Sequence, residues 1–261
     1  MSGAIRHSTV RGARLAWTES GSGPPVVWAH GLTACATGRQ PPGPFDWSAL
    51  DVDHRILRYD ARAHGNSTGD AAPEQYTWPE LALDLLALLD DMTGTEQVSG
   101  IGASMGTATL LYAAIAQPDR FRRLVLATPP TAGQTRARHG AAYQDGAALI
   151  EREGMAAFEA TAGPLPSVLT GIVQSPSPPA VSESLLPSVL RGAARSDLPS
   201  ADALAAIDVP VLVLAWSGDP GHPLSTARSL ATTIPGARLE TADTPSQLRR
   251  WPEVVAAFLR D

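Results

Sequence analysis

No lysine occurs among the 261 residues, and all 20 basic side chains are arginine. That absence excludes a lysine Schiff base, a phosphate-loop lysine and a Ser-Lys dyad. Cysteine is nearly absent too. The single Cys35 excludes an intrachain disulfide and a multi-cysteine zinc site, and it fits a reducing, cytoplasmic setting. Positive charge is scarce beside negative: the net charge is −6, and no dense basic stripe exists to replace phosphate counterions. Nucleic acid is therefore not an expected partner. Arg120, Arg122 and Arg123 read as a short solvated patch beside a helix end. The N-terminal arginines lack a following apolar core, so no secretory signal is predicted. One uncharged run, Val98 to Ala116, is long enough to cross a bilayer. Gly100, Gly102, Ser104, Gly106 and two threonines punctuate it, which suits a buried strand, a tight turn and a helix instead.

What is present describes a soluble globular domain, or a core with one inserted lid. Hydrophobic residues at 44% and charged residues at 18% argue against disorder, and the length buries a core without staples. Short apolar runs alternate with helical patterns, as in a mostly parallel sheet covered by helices. Predicted strands are Leu15–Ser20, Pro25–Ala29, Arg55–Tyr59, Val98–Ala103, Leu124–Ala127, Val211–Trp216 and Ala237–Thr241. A helix is predicted from Trp78 to Met92, opened by a capping box of Thr77 and Glu80 and stopped by Gly94. Others are predicted over Met105–Ala116, Leu224–Ile234 and Pro252–Leu259. Residues 129–199 hold nine of the 23 prolines, so only short helices are expected there, around Thr135–Gly154 and Ser182–Ala194. Residues 1–128 and 200–261 read as the core, and 129–199 as an inserted lid.

Gly102-Ala103-Ser104-Met105-Gly106 fits G-x-S-x-G where a predicted strand turns directly into a predicted helix. Small residues let such a strained turn close with the hydroxyl exposed, and the helix N-terminus offers free amides where an oxyanion would form.

With this elbow the chain resembles the α/β-hydrolase superfamily, and other motifs agree. His30-Gly31 after a strand resembles the family's HG turn, which implies an oxyanion-hole amide at Leu32, with Met105 as the second donor. The stretch from Tyr59 to Ser67 resembles the D-x-R-G-x-G-x-S loop, with Ala63 in place of the usual glycine. The stretch from Ser217 to Pro223 resembles the acid loop, and Asp219 stands four residues before a proline as the acid does. The implied fold is a mostly parallel sheet of about eight strands flanked by helices, with a proline-rich helical cap.

The base departs from the pattern. The family places a histidine about seven residues before a Pro-Glu that opens the last helix. Here Pro252-Glu253 is present, but Thr244-Pro245 stands seven residues back, and no histidine follows His222. Thr244-Pro245-Ser246-Gln247 reads as a helix cap. Six histidines remain. His7 and His54 are expected to be exposed, His30 and His64 to be structural, and His139 to lie in the lid with its direction unfixed. His222 precedes Pro223 in the acid loop and could reach Ser104 as a base, or could pack under the lid or cap the following helix.

The expectation is a cofactor-independent hydrolase of an ester, lactone or related acyl substrate, with Ser104 as nucleophile, Asp219 as acid and His222 as base. A non-hydrolytic lyase or cyclase and an inactive binding protein stand as alternatives. A small molecule is the expected partner, with no metal, cofactor or membrane. Substrate identity and oligomeric state are open.

Overall fold

A computed structural model describes residues 3–38, 43–175 and 177–261. Its strands are β1 (Arg6–Val10), β2 (Ala13–Gly21), β3 (Pro25–Ala29), β4 (Arg55–Tyr59), β5 (Val98–Ala103), β6 (Phe121–Ala127), β7 (Val211–Trp216) and β8 (Arg238–Ala242). Among the described residues they form one eight-stranded sheet in the order β1-β2-β4-β3-β5-β6-β7-β8. The pairs β1/β2 and β2/β4 are antiparallel, and the rest are parallel. The helices are α1 (Trp78–Thr93), α2 (Met105–Ala116), α3 (Gly133–Glu153), α4 (Met155–Glu159), α5 (Leu186–Ala194), α6 (Ala201–Ala205), α7 (Leu224–Thr233), α8 (Pro245–Leu248) and α9 (Trp251–Arg260).

Strand periodicity sorts the core into two layers. Val211, Val213 and Ala215 of β7 face α1, α2 and α7, together with Val27, Leu124 and Leu126. Leu212, Leu214 and Trp216 face α9, together with Val26, Trp28 and Val125. Both faces are covered, so β3 and β7 are apolar throughout. The run Val98–Ala116 is β5, the turn at Ser104 and α2, and no described helix is long and apolar enough to cross a membrane.

Several expectations need correction. The N-terminal edge strand β1 was not foreseen, because Arg6, His7 and Thr9 leave its sequence polar on an exposed side. The Thr77–Glu80 capping box does not form. Ser196 instead accepts from the Trp78 amide at 3.0 Å, so a distant hydroxyl serves the first free donor of α1. The Arg120 part of the basic patch is not solvated: Arg120 is buried and donates to the Glu96 carbonyl and Thr93 hydroxyl, both at 2.9 Å. His54 is buried, not exposed. Between β6 and β7 the longest helix of the described chain, α3, spans 21 residues despite the local proline content. The prolines fall outside Gly133–Glu153, so their count over the whole stretch misleads.

The loop after β4 is a scaffold. Asp60 is fully buried and accepts from the amides of Ala36, Thr37 and Asn66 at 2.6 to 2.9 Å, fixing the segment after β3. Arg62 donates to both oxygens of Asp84 at 2.8 and 2.9 Å, with both side chains nearly inaccessible. Removing one partner would strand the other charge in a dry interior. Asp84→Ala is expected to lower stability by about 3–5 kcal/mol, read by denaturant titration.

Candidate active site

The turn from β5 to α2 forces Ser104 to φ 51°, ψ −110°, a region that residues with a β-carbon rarely occupy. Its neighbours must be small. A β-carbon on Gly106 would come within 2.0 Å of the Ala29 carbonyl oxygen, and one on Gly102 within 2.4 Å of the Gly106 oxygen. The Ser104 amide donates to the Ala127 carbonyl at 3.1 Å, so it is not free for an oxyanion. Met105, as the first residue of α2, presents an amide with no partner inside the helix. Gly31 packs against the serine, where an added β-carbon would stand 3.5 Å from the Ser104 Cβ. Leu32 follows it and lines the same cavity as Ser104.

The acid loop leaves β7 at Trp216 and turns back on itself. The His222 amide donates to the Asp219 carbonyl at 3.2 Å, closing a turn that brings the two side chains together. His222 Nδ1 lies 2.8 Å from Asp219 Oδ2, and Nε2 lies 2.8 Å from Ser104 Oγ. Asp219 accepts further from Trp216 Nε1–H and the Gly221 amide, both at 2.9 Å. Burial works to raise the Asp219 pKa, but the bonds from His222, Trp216 and Gly221 outweigh it and hold the group at about 2. His222 does not cap α7, whose N-cap is Pro223. Pro245 opens α8 under the capping box of Thr244 and Gln247 that the sequence predicts.

The other histidines have other partners. His30 Nε2 accepts from the Ala61 amide at 3.0 Å, which leaves Nδ1–H to donate to the Gly31 carbonyl at 2.8 Å. His64 is fully buried, with Nδ1–H donating to the Arg62 carbonyl at 2.8 Å. His139 of α3 lines the cavity, edge-on to Tyr143 at 4.9 Å. Its pKa is lowered by burial first, then by Arg136 and His222. Arg136 is turned away from the cavity: it is buried over the Trp78 ring at 4.2 Å and donates to the carbonyls of Ser196 and Ala193.

The cavity above Ser104 and His222 measures about 960 Å³, and Leu32, Tyr143, Phe158 and Leu190 give it an apolar wall. Among the described residues no group of three or more His, Cys, Asp or Glu could hold a metal ion. No signal in the sequence marks the Trp216 donor, because nothing in a tryptophan at a strand end announces where its N–H will point.

A family model for the alpha/beta hydrolase fold matches residues 24–158, more than half of the chain. The chain belongs to that family. A similar protein is 3-oxoadipate enol-lactonase 2 of Acinetobacter baylyi, 29% identical over 198 residues that cover 72% of this chain and 70% of the relative. Epoxide hydrolase 2 of Siraitia grosvenorii is 28% identical over 128 residues, 46% of this chain and 38% of its own. Among solved structures, a hydrolase from Pseudomonas aeruginosa PA01 superposes with a TM-score of 0.77 at 26% identity, covering 98% of both chains. The enol-lactonase from Burkholderia xenovorans LB400 shares the fold, with a TM-score of 0.79 at 23% identity over 98% of this chain and 100% of that one. By name, two of these similar proteins are enol-lactonases and two are hydrolases.

Acid stability of this family member should follow its depressed groups, among them the buried His64 and the half-buried Asp219. Burial, with the His30 ring 5.0 Å away, depresses His64 from 6.5 to about 3. Between those values the unfolded chain binds a proton that the folded chain refuses, so stability is full above pH 6.5 and falls towards 3. Asp219 is also depressed, from 3.8 to about 2, so its contribution is present above 3.8 and lost as pH falls to 2. Melting temperature measured against pH should begin to decline near 6.5, and His64→Gln should make that upper part shallower without removing it, because His30, His54 and His139 are lowered from the same value.

Proposed function

We propose that the protein is a cofactor-independent serine hydrolase of an ester, lactone or related acyl substrate, with residues 129–199 as a cap over the cavity. The observation that carries this reading is His222, which bridges Asp219 and Ser104 with 2.8 Å contacts on its two ring nitrogens. In the neutral imidazole, Nδ1–H donates to Asp219 and Nε2 accepts from the Ser104 hydroxyl. Asp219 thereby fixes the tautomer that a general base needs, and it stabilises the imidazolium that forms.

Ser104 Oγ would attack the acyl carbon while its proton passes to His222 Nε2. The carbonyl oxygen would take up the electron pair towards the Leu32 and Met105 amides. Collapse would expel the alkoxide, which takes the proton from His222 and leaves an acyl-serine. Water, deprotonated by the same imidazole, would then attack the acyl carbon and restore the serine with release of the acid. The apolar wall of Leu32, Tyr143, Phe158 and Leu190 suits the hydrocarbon part of a small molecule. The name of the enol-lactonase relative supports the same class of substrate.

The test is intact mass after incubation with a fluorophosphonate. One adduct, mapped by peptide mass to Ser104, is the expected result. A folded sample that stays unlabelled would shift the reading to a non-hydrolytic catalyst or a binder.

A further inference from the structure

Asp219 and His222 lie three residues apart in one loop that also contains Gly218, Pro220 and Gly221. A separation this short gives the acid and base no independent supports from the scaffold. The support comes from the end of β7. Trp216 is 5% exposed, and its ring is stacked at 5.8 Å on Trp251 of α9, with 4° between the planes, and at 5.8 Å on Phe45. Trp28 and Trp47 pack against Phe45 at 5.6 and 6.2 Å, so the indole belongs to a cluster of five aromatic residues. Gripped in this way, its Nε1–H reaches Asp219 Oδ2, the same oxygen that faces His222 Nδ1. Its ring also stands edge-on to the imidazole at 6.2 Å and 86°.

We infer that Trp216 is the positioning residue of the acid–base pair: its indole N–H fixes the Asp219 carboxylate, and through it the rotamer and tautomer of His222. The inference rests on the proposed Ser104–His222–Asp219 reading for its kinetic consequence, but the positioning itself is independent of turnover. Asp219 has two oxygens, and the Gly221 amide holds Oδ1 at 2.9 Å. Without the indole, Oδ2 keeps only the imidazole as a donor within its own loop, and the carboxylate can rotate with the ring it should orient. The other groups facing the pair are the Ser104 hydroxyl from the start of α2 and His139 from α3, with Arg136 behind His139. None of these is hydrogen-bonded to Asp219 among the described residues.

The test is Trp216→Phe, which keeps an aromatic ring in the stack and deletes the donor. A hydrogen bond to a charged group contributes about 1.5–3 kcal/mol, equivalent to roughly 10–150-fold. Because the bond exists in the ground state as well, the expected loss in kcat on a p-nitrophenyl ester is about tenfold, with KM within about twofold. The readout that packing alone would not move is solvent exchange of the Nδ1–H of His222, whose bond to Asp219 should give a strongly deshielded proton resonance. That resonance should broaden through faster exchange in Trp216→Phe, beyond the shift that loss of the indole ring current gives. A variant that keeps both kcat and the sharp resonance overturns the inference, as does one that loses activity with the resonance unbroadened. Should the variant fail to fold, the wild-type indole N–H of Trp216, followed with nitrogen-labelled tryptophan, should move when His222 is titrated, and a flat response overturns the proposal. Fluorophosphonate labelling of the wild type separates the two claims. Without an adduct at Ser104 the hydrolase reading fails, while the resonance test of Trp216 still stands or falls by itself.

Discussion

Ser104→Ala should abolish acyl transfer and fluorophosphonate labelling while leaving the fold intact. Loss of the nucleophile in a comparable triad costs roughly 10⁶-fold in kcat, leaving only what the oxyanion hole and binding supply. The fold should be indifferent, because the strain at φ 51° belongs to the backbone and alanine carries the same β-carbon there. The glycines that permit the turn, Gly102 and Gly106, are untouched. Stability should move by less than about 1 kcal/mol, as for a substitution that opens no cavity and buries no new polar group. Progress curves on an activated ester and a thermal melt of the same sample check both halves. Undiminished turnover in a folded variant would remove Ser104 from the chemistry and favour a lyase, a cyclase or some other use of the pocket.

The sheet was legible wherever burial on both faces wrote itself into continuous apolar runs. Pro25–Ala29 and Val211–Trp216, apolar throughout, are strands over the residues predicted, as are Arg55–Tyr59 and Val98–Ala103, whose apolar residues are interrupted by arginine or by serine and glycine. The edge strand β1 was not, because a strand with one exposed side and a polar sequence carries no such run. The elbow was legible because steric demand selects small residues at fixed spacing, and the structure shows a β-carbon at either glycine colliding with backbone. Ala63 is instructive in the other direction. It stands where the resembled motif has glycine, yet the backbone there still takes φ 65°, so the loop imposes its shape on a residue that resists it. The Thr77 cap was misread because local side-chain patterns compete with distant ones, and Ser196 wins. Nor could sequence orient the side chains between β6 and β7. On α3, His139 and Tyr143 line the cavity, whereas Arg136 is buried over Trp78 and Arg138 is exposed.

His222→Ala is the variant that decides whether a base has been rebuilt in the acid loop. Position alone singled this residue out from sequence, because Pro245 has no proton to take and lysine is absent from the chain. The 2.8 Å contacts on both ring nitrogens give it the two partners a base requires, one to orient it and one to deprotonate. A general base contributes about 10²–10⁴-fold, so His222→Ala should lose at least that in kcat/KM, and labelling of Ser104 should slow in parallel. His139→Ala is the control. That ring shares the cavity, but it is hydrogen-bonded to neither Ser104 nor Asp219 among the described residues, so its removal should leave the proton transfer nearly unchanged. Steady-state kinetics and the rate of fluorophosphonate addition, measured side by side on the two variants, separate the roles. If His139→Ala were the crippled one and His222→Ala the active one, the base would lie on α3, and the tight turn of the acid loop would be structural. If both retained activity, no imidazole would be taking the serine proton, because no histidine other than His222 is hydrogen-bonded to Ser104 among the described residues.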